Sequence, residues 1–142
     1  MIRLERVIDA LPTDFEALRE EARAQGHRML DTLATDWASG ATRFNRRGEA
    51  LLAAYAADVL AGIGGLTQEA EIPGALRMRR FYVRIAYRRS GVGHSMAATL
   101  LEEPRRTGRT VTVNAAAGSE AFWEALGFVA DRRDSFTHIL NG

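Results

Sequence analysis

The sequence predicts an α+β domain covering residues 1–142. Three observations carry that prediction. Short apolar runs rich in β-branched and aromatic residues alternate with stretches of helical periodicity. One such run, Phe81 to Ala86, passes through Arg88-Arg89-Ser90-Gly91-Val92-Gly93 into the helix formers Met96 to Leu101. No repeat or low-complexity linker divides the chain, and its 142 residues suffice for one core.

The elements follow in order. Ile2 to Ile8 alternates apolar and charged residues and reads as a first strand. Thr13-Asp14-Phe15-Glu16 fits a capping box, with Thr13 as N-cap and Glu16 reaching back. Phe15, Leu18 and Ala22 share one helical face; after Gly26, Met29, Leu30, Leu33 and Trp37 share another, ending near Ser39-Gly40. Ala50–Tyr55 and Val59–Thr67 read as strands two and three. Gly62, Gly64 and Gly65 weaken the third and point either to close approach of a ligand or neighbour or to a bulge or tight packing under the helices. Leu76–Ala86 is the fourth strand. The helix after Gly93 is expected to end or kink at Pro104. Arg109–Val113 is the fifth strand and Ser119–Leu126 a short helix, with Gly127 at its C′ position. Phe128–Ala130 and Phe136–Leu140 close the chain as two more strands.

Composition excludes several classes of function. With 46% hydrophobic residues the chain is not disordered as a whole. It has no apolar run long enough for a membrane helix, and Met1 to Arg6 lacks a signal-peptide core. A cytoplasmic protein without membrane partners is expected. Cysteine is absent, which excludes disulfides, an enzyme thioester and cysteine-ligated zinc. Nineteen basic and 18 acidic residues give a net charge of +1, so no field for nucleic acid exists. Every basic residue is arginine; without lysine neither a Walker phosphate loop nor a Schiff base can form. His27, His94 and His138 lack metal-ligand spacing, and no metal is expected. No Gly-x-Ser-x-Gly elbow is present.

The Arg88–Gly93 turn is the informative stretch. A glycine-rich turn entering a helix aims several backbone N–H groups at one point, and the helix dipole adds positive character. Glycine lets a ligand approach the backbone closely. The physical reading is a phosphate or pyrophosphate site, reinforced by Arg88 and Arg89.

Arg88-x-x-Gly91-x-Gly93 after a hydrophobic strand resembles the acyl-CoA-binding signature of the GCN5-related N-acetyltransferases. Ala121-Phe122-Trp123-Glu124-Ala125-Leu126-Gly127-Phe128 resembles the same family's Phe-Tyr-Glu-Lys-Leu-Gly-Phe segment. The resemblance implies an acyl-CoA N-acyltransferase fold: helices on both faces of a mixed, mostly antiparallel sheet of about seven strands, with strands four and five splayed. It implies acetyl-CoA as co-substrate, its pantetheine arm lying along Tyr82 and Val83 in the splay. Arg88, Arg89, Ser90, Gly91, Val92, Gly93, His94 and Ser95 would hold the pyrophosphate. It also implies a longer helix than one that stops at Pro104.

The implied reaction is attack of an amine on the thioester through a tetrahedral intermediate. The Val83 N–H maps to the oxyanion donor. The family's general-acid Tyr is Trp123 here, which cannot give up a proton at useful pH. A thiolate, from a thiol of pKa roughly 8.5, leaves tolerably without help, and Trp123 would then wall the pantetheine. Asn114 is the nearest candidate for a cofactor-holding Asn; the register-matched position is Ala116. Candidate general bases are Glu69, His138 and Glu71, in that order, with a water chain equally open. His27, Arg28, Asp31 and Asp36 either meet the acceptor or form a solvated face. The expected acceptor is a small amine. A peptide acceptor and a non-catalytic acyl-CoA-binding module are the alternatives, and a homodimer is left open.

Overall fold

A computed structural model describes all residues, Met1–Gly142. Seven strands form one sheet: β1 (Ile2–Arg6), β2 (Ala50–Ala56), β3 (Val59–Gln68), β4 (Leu76–Val83), β5 (Val111–Val113), β6 (Val129–Ala130) and β7 (His138–Leu140). Their spatial order is β1-β2-β3-β4-β5-β7-β6. Every neighbouring pair is antiparallel except β4 and β5, which run parallel.

Helices cover both faces. On one, α1 (Phe15–Ala24) and α2 (Met29–Ser39) bury Leu18, Leu30, Leu33 and Trp37 against Leu51, Ile63 and Tyr82. On the other, α3 (Val92–Thr107) and α4 (Glu120–Ala125) bury Leu100, Leu101 and Trp123 against Leu76, Val111, Val113 and Phe128. This is the acyl-CoA N-acyltransferase architecture expected. No helix is long and apolar enough to cross a membrane.

The start of α1 differs from expectation. Asp14, not Thr13, is the N-cap, and no side chain caps the helix. Backbone turns serve instead: Phe15 N–H donates to Pro12 O at 3.0 Å and Ala17 N–H to Asp14 O at 3.1 Å. Glu16 turns outward to Arg19. Gly26, at φ +86°, then reverses the chain into α2. A clasp closes the pair. Asp31 of α2 accepts from Arg19 Nε at 2.6 Å and Arg23 Nη2 at 2.7 Å, with Arg28 Nη1 at 3.5 Å. Arg23 and then Arg19 hold its carboxyl well below the usual carboxylate range.

Two further expectations are corrected. Pro104 neither ends nor breaks α3, which runs on to Thr107 and stops at Gly108, φ +73°. The proline sits in the last turn, where a single N–H is forfeited; its ring is buried and its carbonyl takes the Arg109 N–H at 2.9 Å. The fourth strand stops at Val83 rather than Ala86, and Ile85–Tyr87 is a 3₁₀ turn. Glu21 of α1 accepts the Ile85 N–H at 3.0 Å and draws the chain off the sheet.

The β3 glycines answer to packing. Ile63 pairs with Tyr82 but Gly65 with Arg79, so Arg80 and Phe81 together oppose Gly64 in a bulge. Arg80 takes φ 56° there. The Phe81 ring fills the space a side chain at 64 would need, its Cδ2 2.5 Å from an added Cβ.

Two outcomes are expected. Gly64→Ala forces Phe81 out of place and costs about 1–3 kcal/mol, read calorimetrically as a midpoint lowered by roughly 3–10 °C. Asp31→Asn removes the clasp. Because the folded carboxyl titrates below its unfolded value of about 3.9, its stabilisation is present above that pH and fades as pH falls further. The midpoint gap between wild type and Asp31→Asn should therefore hold from pH 7 to 5 and close only in stronger acid.

Candidate active site

Parallel pairing between β4 and β5 is short. Leu76, Arg77 and Met78 face Val111, Thr112 and Val113, and there the ladder ends. Beyond Met78 the strands part around a cleft of about 730 Å3. Phe81, Phe122 and Trp123 line it on the α3–α4 side; His27, Met29, Arg79 and Tyr82 line it on the α1–α2 side. The cleft therefore passes through the sheet.

An aromatic stack holds the α3–α4 wall. Trp123 stands edge-on to Phe81 at 5.0 Å, Phe122 at 4.9 Å and Phe128 at 5.5 Å between ring centroids. Trp123 is both core and cleft wall, only 4% exposed. Gly93 lets α3 start close to this stack: an added Cβ would come within 3.3 Å of Phe122.

The open edge of β4 presents the Val83 N–H. Arg84 N–H donates to Ala61 O of β3 at 2.8 Å. Backbone direction alternates along a strand, so the Val83 N–H and C=O point the other way, into the opening. Arg88 Nε takes the Val83 carbonyl at 2.9 Å, which leaves the N–H for a ligand.

The turn before α3 leaves a row of backbone amides without protein acceptors. Arg89, at φ 62°, and Gly91, at φ 90°, curl the chain so that α3 begins at Val92. The first intrahelical bond is Ser95 N–H to Gly91 O at 2.9 Å. The N–H groups from Arg89 to His94 precede it and meet no protein acceptor. They stand at the positive end of a 16-residue helix. This cradle fits a pyrophosphate.

Arg88 behaves differently from expectation. Its guanidinium is engaged within the protein, with Nε on Val83, Nη2 on Gln25 Oε1 at 2.9 Å, and a position over the Tyr82 ring. It ties the end of β4 to α1. Arg88 and Arg89 both line the cleft beside the amides, and Arg89 has no protein partner. Ser90 Oγ donates to Tyr87 O, Val92 is core, and Ser95 lies off the cleft. His94, Asn114 and Ala116 line it.

The three candidate bases lie elsewhere. Glu69 is 5% exposed; its oxygens accept from Thr112 Oγ1 and Glu71 N–H, each at 2.7 Å. Glu71 receives the Ser135 hydroxyl. His138 is 1% exposed and faces α4, between Thr137 Oγ1 at 2.8 Å and Glu124 Oε2 at 2.9 Å. Both ring nitrogens are thereby engaged within the protein. The imidazole that does reach the α1–α2 side is His27, edge-on to Tyr82 at 6.4 Å. The sequence signal for it was its place just after Gly26, at the helix reversal.

The Tyr82 hydroxyl is tied to α1. It lies 2.7 Å from Glu21 Oε2 and 2.6 Å from Gln25 Oε1. Burial first, and then the Glu21 carboxylate, push its ionisation well above the usual phenol range. Burial would raise the Glu21 carboxyl, but hydrogen bonds from Tyr82, the Ile85 N–H and Arg84 outweigh it and keep the group low.

Comparison with known proteins bears on this geometry. A structure from Exiguobacterium sp. 255-15 assigned to the acetyltransferases superposes with a TM-score of 0.89 at 20% identity, covering 99% of this chain and 93% of that one. The Bacillus subtilis N-acetyltransferase YlbP, in complex with coenzyme A, superposes at 0.65 and 15% identity over 100% and 97% of the two chains. The PaiA N-acetyltransferase of Thermoplasma acidophilum, also in complex with coenzyme A, gives 0.67 and 18% over 98% and 96%. No curated protein sequence matches significantly. The profile of the acetyltransferase (GNAT) domain matches residues 17–138, and the chain belongs to that family.

Proposed function

We propose that the protein transfers an acetyl group from acetyl-CoA to a primary amine. The observation that carries this reading is the row of unpaired amides from Arg89 to His94 beside a cleft that passes through the sheet. The amides take the pyrophosphate, and the pantetheine arm lies along the parted edge of β4 in the opening. Two neighbours of the same fold, YlbP and PaiA, are complexes with coenzyme A.

The chemistry asks little more of the chain. The amine nitrogen bonds to the thioester carbon, the C–S bond breaks, and sulfur leaves as thiolate. The Val83 N–H faces the developing oxyanion. The surplus proton on nitrogen goes to His27 directly or through water, since Glu69, Glu71 and His138 lie off the cleft. Trp123 walls the donor and donates no proton; a thiolate of parent pKa roughly 8.5 does not need one.

A second reading keeps the binding and drops the turnover, because Trp123 stands where the family has its acid. Release of CoA in the presence of an amine separates the two.

Two experiments test the reading. Acetyl-CoA at 100 times its Kd should stabilise wild type by roughly 2.7 kcal/mol, seen as a thermal shift that NADH and ATP do not give. Gly91→Asp puts a carboxylate at the cradle and should abolish that shift while the unliganded protein still melts cooperatively. An undiminished shift would remove the phosphate-cradle assignment. His27→Gln should lower kcat by about 10²-fold or more if the ring takes the proton, with the acetyl-CoA shift retained; an unchanged kcat hands the proton to water.

A further inference from the structure

Three arginines of β4 face α2. Met78, between Arg77 and Arg79, joins the opposite core with α3. Gly65 pairs with Arg79, and on that face lies the Phe44 ring. Arg80 follows through the bulge, its Nη2 3.5 Å from Asp36 Oδ2. All three are half-buried. Burial first, and then the charge of Arg79, lower the ionisation of both Arg77 and Arg80. Three cations are therefore held together at a cost.

Their compensation is uneven. Arg80 has Asp36, and Arg77 feels Glu69 and Glu71. Arg79, the central one, has no carboxylate oxygen within 4.0 Å and no hydrogen-bond acceptor. It lies on the wall between the main cleft and a polar depression of about 320 Å3 that Arg43, Arg46 and Glu49 also line. Glu49 does not reach it: its oxygens take the Arg46 N–H at 3.2 Å and the Gln68 N–H at 3.0 Å and stand more than 4.0 Å from the Arg79 guanidinium. A half-buried guanidinium with no partner, aimed at a cleft, is a site for an anion the protein does not itself supply.

We propose that the acceptor is a small amine that also carries a carboxylate or a phosphate, and that Arg79, flanked by Arg80, binds this anionic group at the α1–α2 mouth of the cleft. The proposal rests on the acetyl-transfer reading of the same cleft. It excludes polyamines, which three arginines would repel. It makes Arg79 a specificity determinant.

Product binding tests it without turnover. The wild-type protein saturated with CoA is titrated calorimetrically with the N-acetyl derivatives of the common amino acids and with their C-terminal amides. A second arm uses N-acetyl-O-phosphoethanolamine against N-acetylethanolamine, which separates carboxylate from phosphate. In at least one arm the anionic member should bind about 10- to 100-fold more tightly than its neutral partner, the range for hydrogen bonds to a charged group. Arg79→Gln should erase that preference and Arg79→Lys should keep part of it. Equal binding of neutral partners, no binding of any anionic member, or preference surviving in Arg79→Gln overturns the proposal. A loss of CoA affinity in Arg79→Gln moves the residue to the coenzyme and overturns it too. If wild type binds no CoA at all, the acetyl-transfer reading falls, and this one with it.

Discussion

The three-residue parallel ladder between β4 and β5 is the constraint on which the rest depends. Leu76–Met78 and Val111–Val113 are enough to join the two halves of the sheet. Were the ladder to continue, the sheet would be closed and no passage would connect its faces. The aromatic stack of Phe81, Phe122 and Trp123 stands beside the parted strands. A parallel pair also demands a crossover helix. That helix, α3, begins just after the C-terminal end of β4, so its positive end arrives at the mouth of the opening. One topological fact thus sets both the passage and the anion cradle.

The bulge in β4 is the second device. It places two residues, Arg80 and Phe81, opposite one glycine. Phe81 goes to the α3–α4 wall of the cleft and Arg80 to the α1–α2 side. An arginine at positive φ carries strain of order 1–3 kcal/mol. The Phe81 packing over Gly64 and the Asp36 contact are what hold it. Arg88 adds a third restraint by fastening the β4 carbonyl at Val83 to α1.

What could be read in the sequence was what is local. The passage from strand through Gly91 to helix depends on neighbours in the chain, and its conformation is written in residue types. The Phe122-Trp123 segment was readable for the same reason. The bulge was not, because it arises from Gly64 meeting Phe81 across a register no single strand reveals. The same blindness misplaced the bases. His138 pairs with Val113 and so shares its face, toward α4; Glu69 is turned into the sheet toward Thr112. The part Arg88 plays in fastening β4 to α1 was not legible, because its partners, Val83 and Gln25, are not its neighbours in the chain. Pro104 was misjudged because its distance from the helix end was unknown. The rule against proline weakens where few hydrogen bonds remain to be lost.

The clasp on Asp31 and the pairs at Glu21 and Asp36 are all made by arginine. No lysine occurs anywhere in the chain. A guanidinium remains protonated and delocalised at any ordinary pH and does not act as a nucleophile. The side chains therefore hold their carboxylates without offering a primary amine to an acyl thioester. Whatever acyl donor the cleft admits meets no lysine on its own protein, and slow chemical self-acylation at a lysine side chain is closed to this chain.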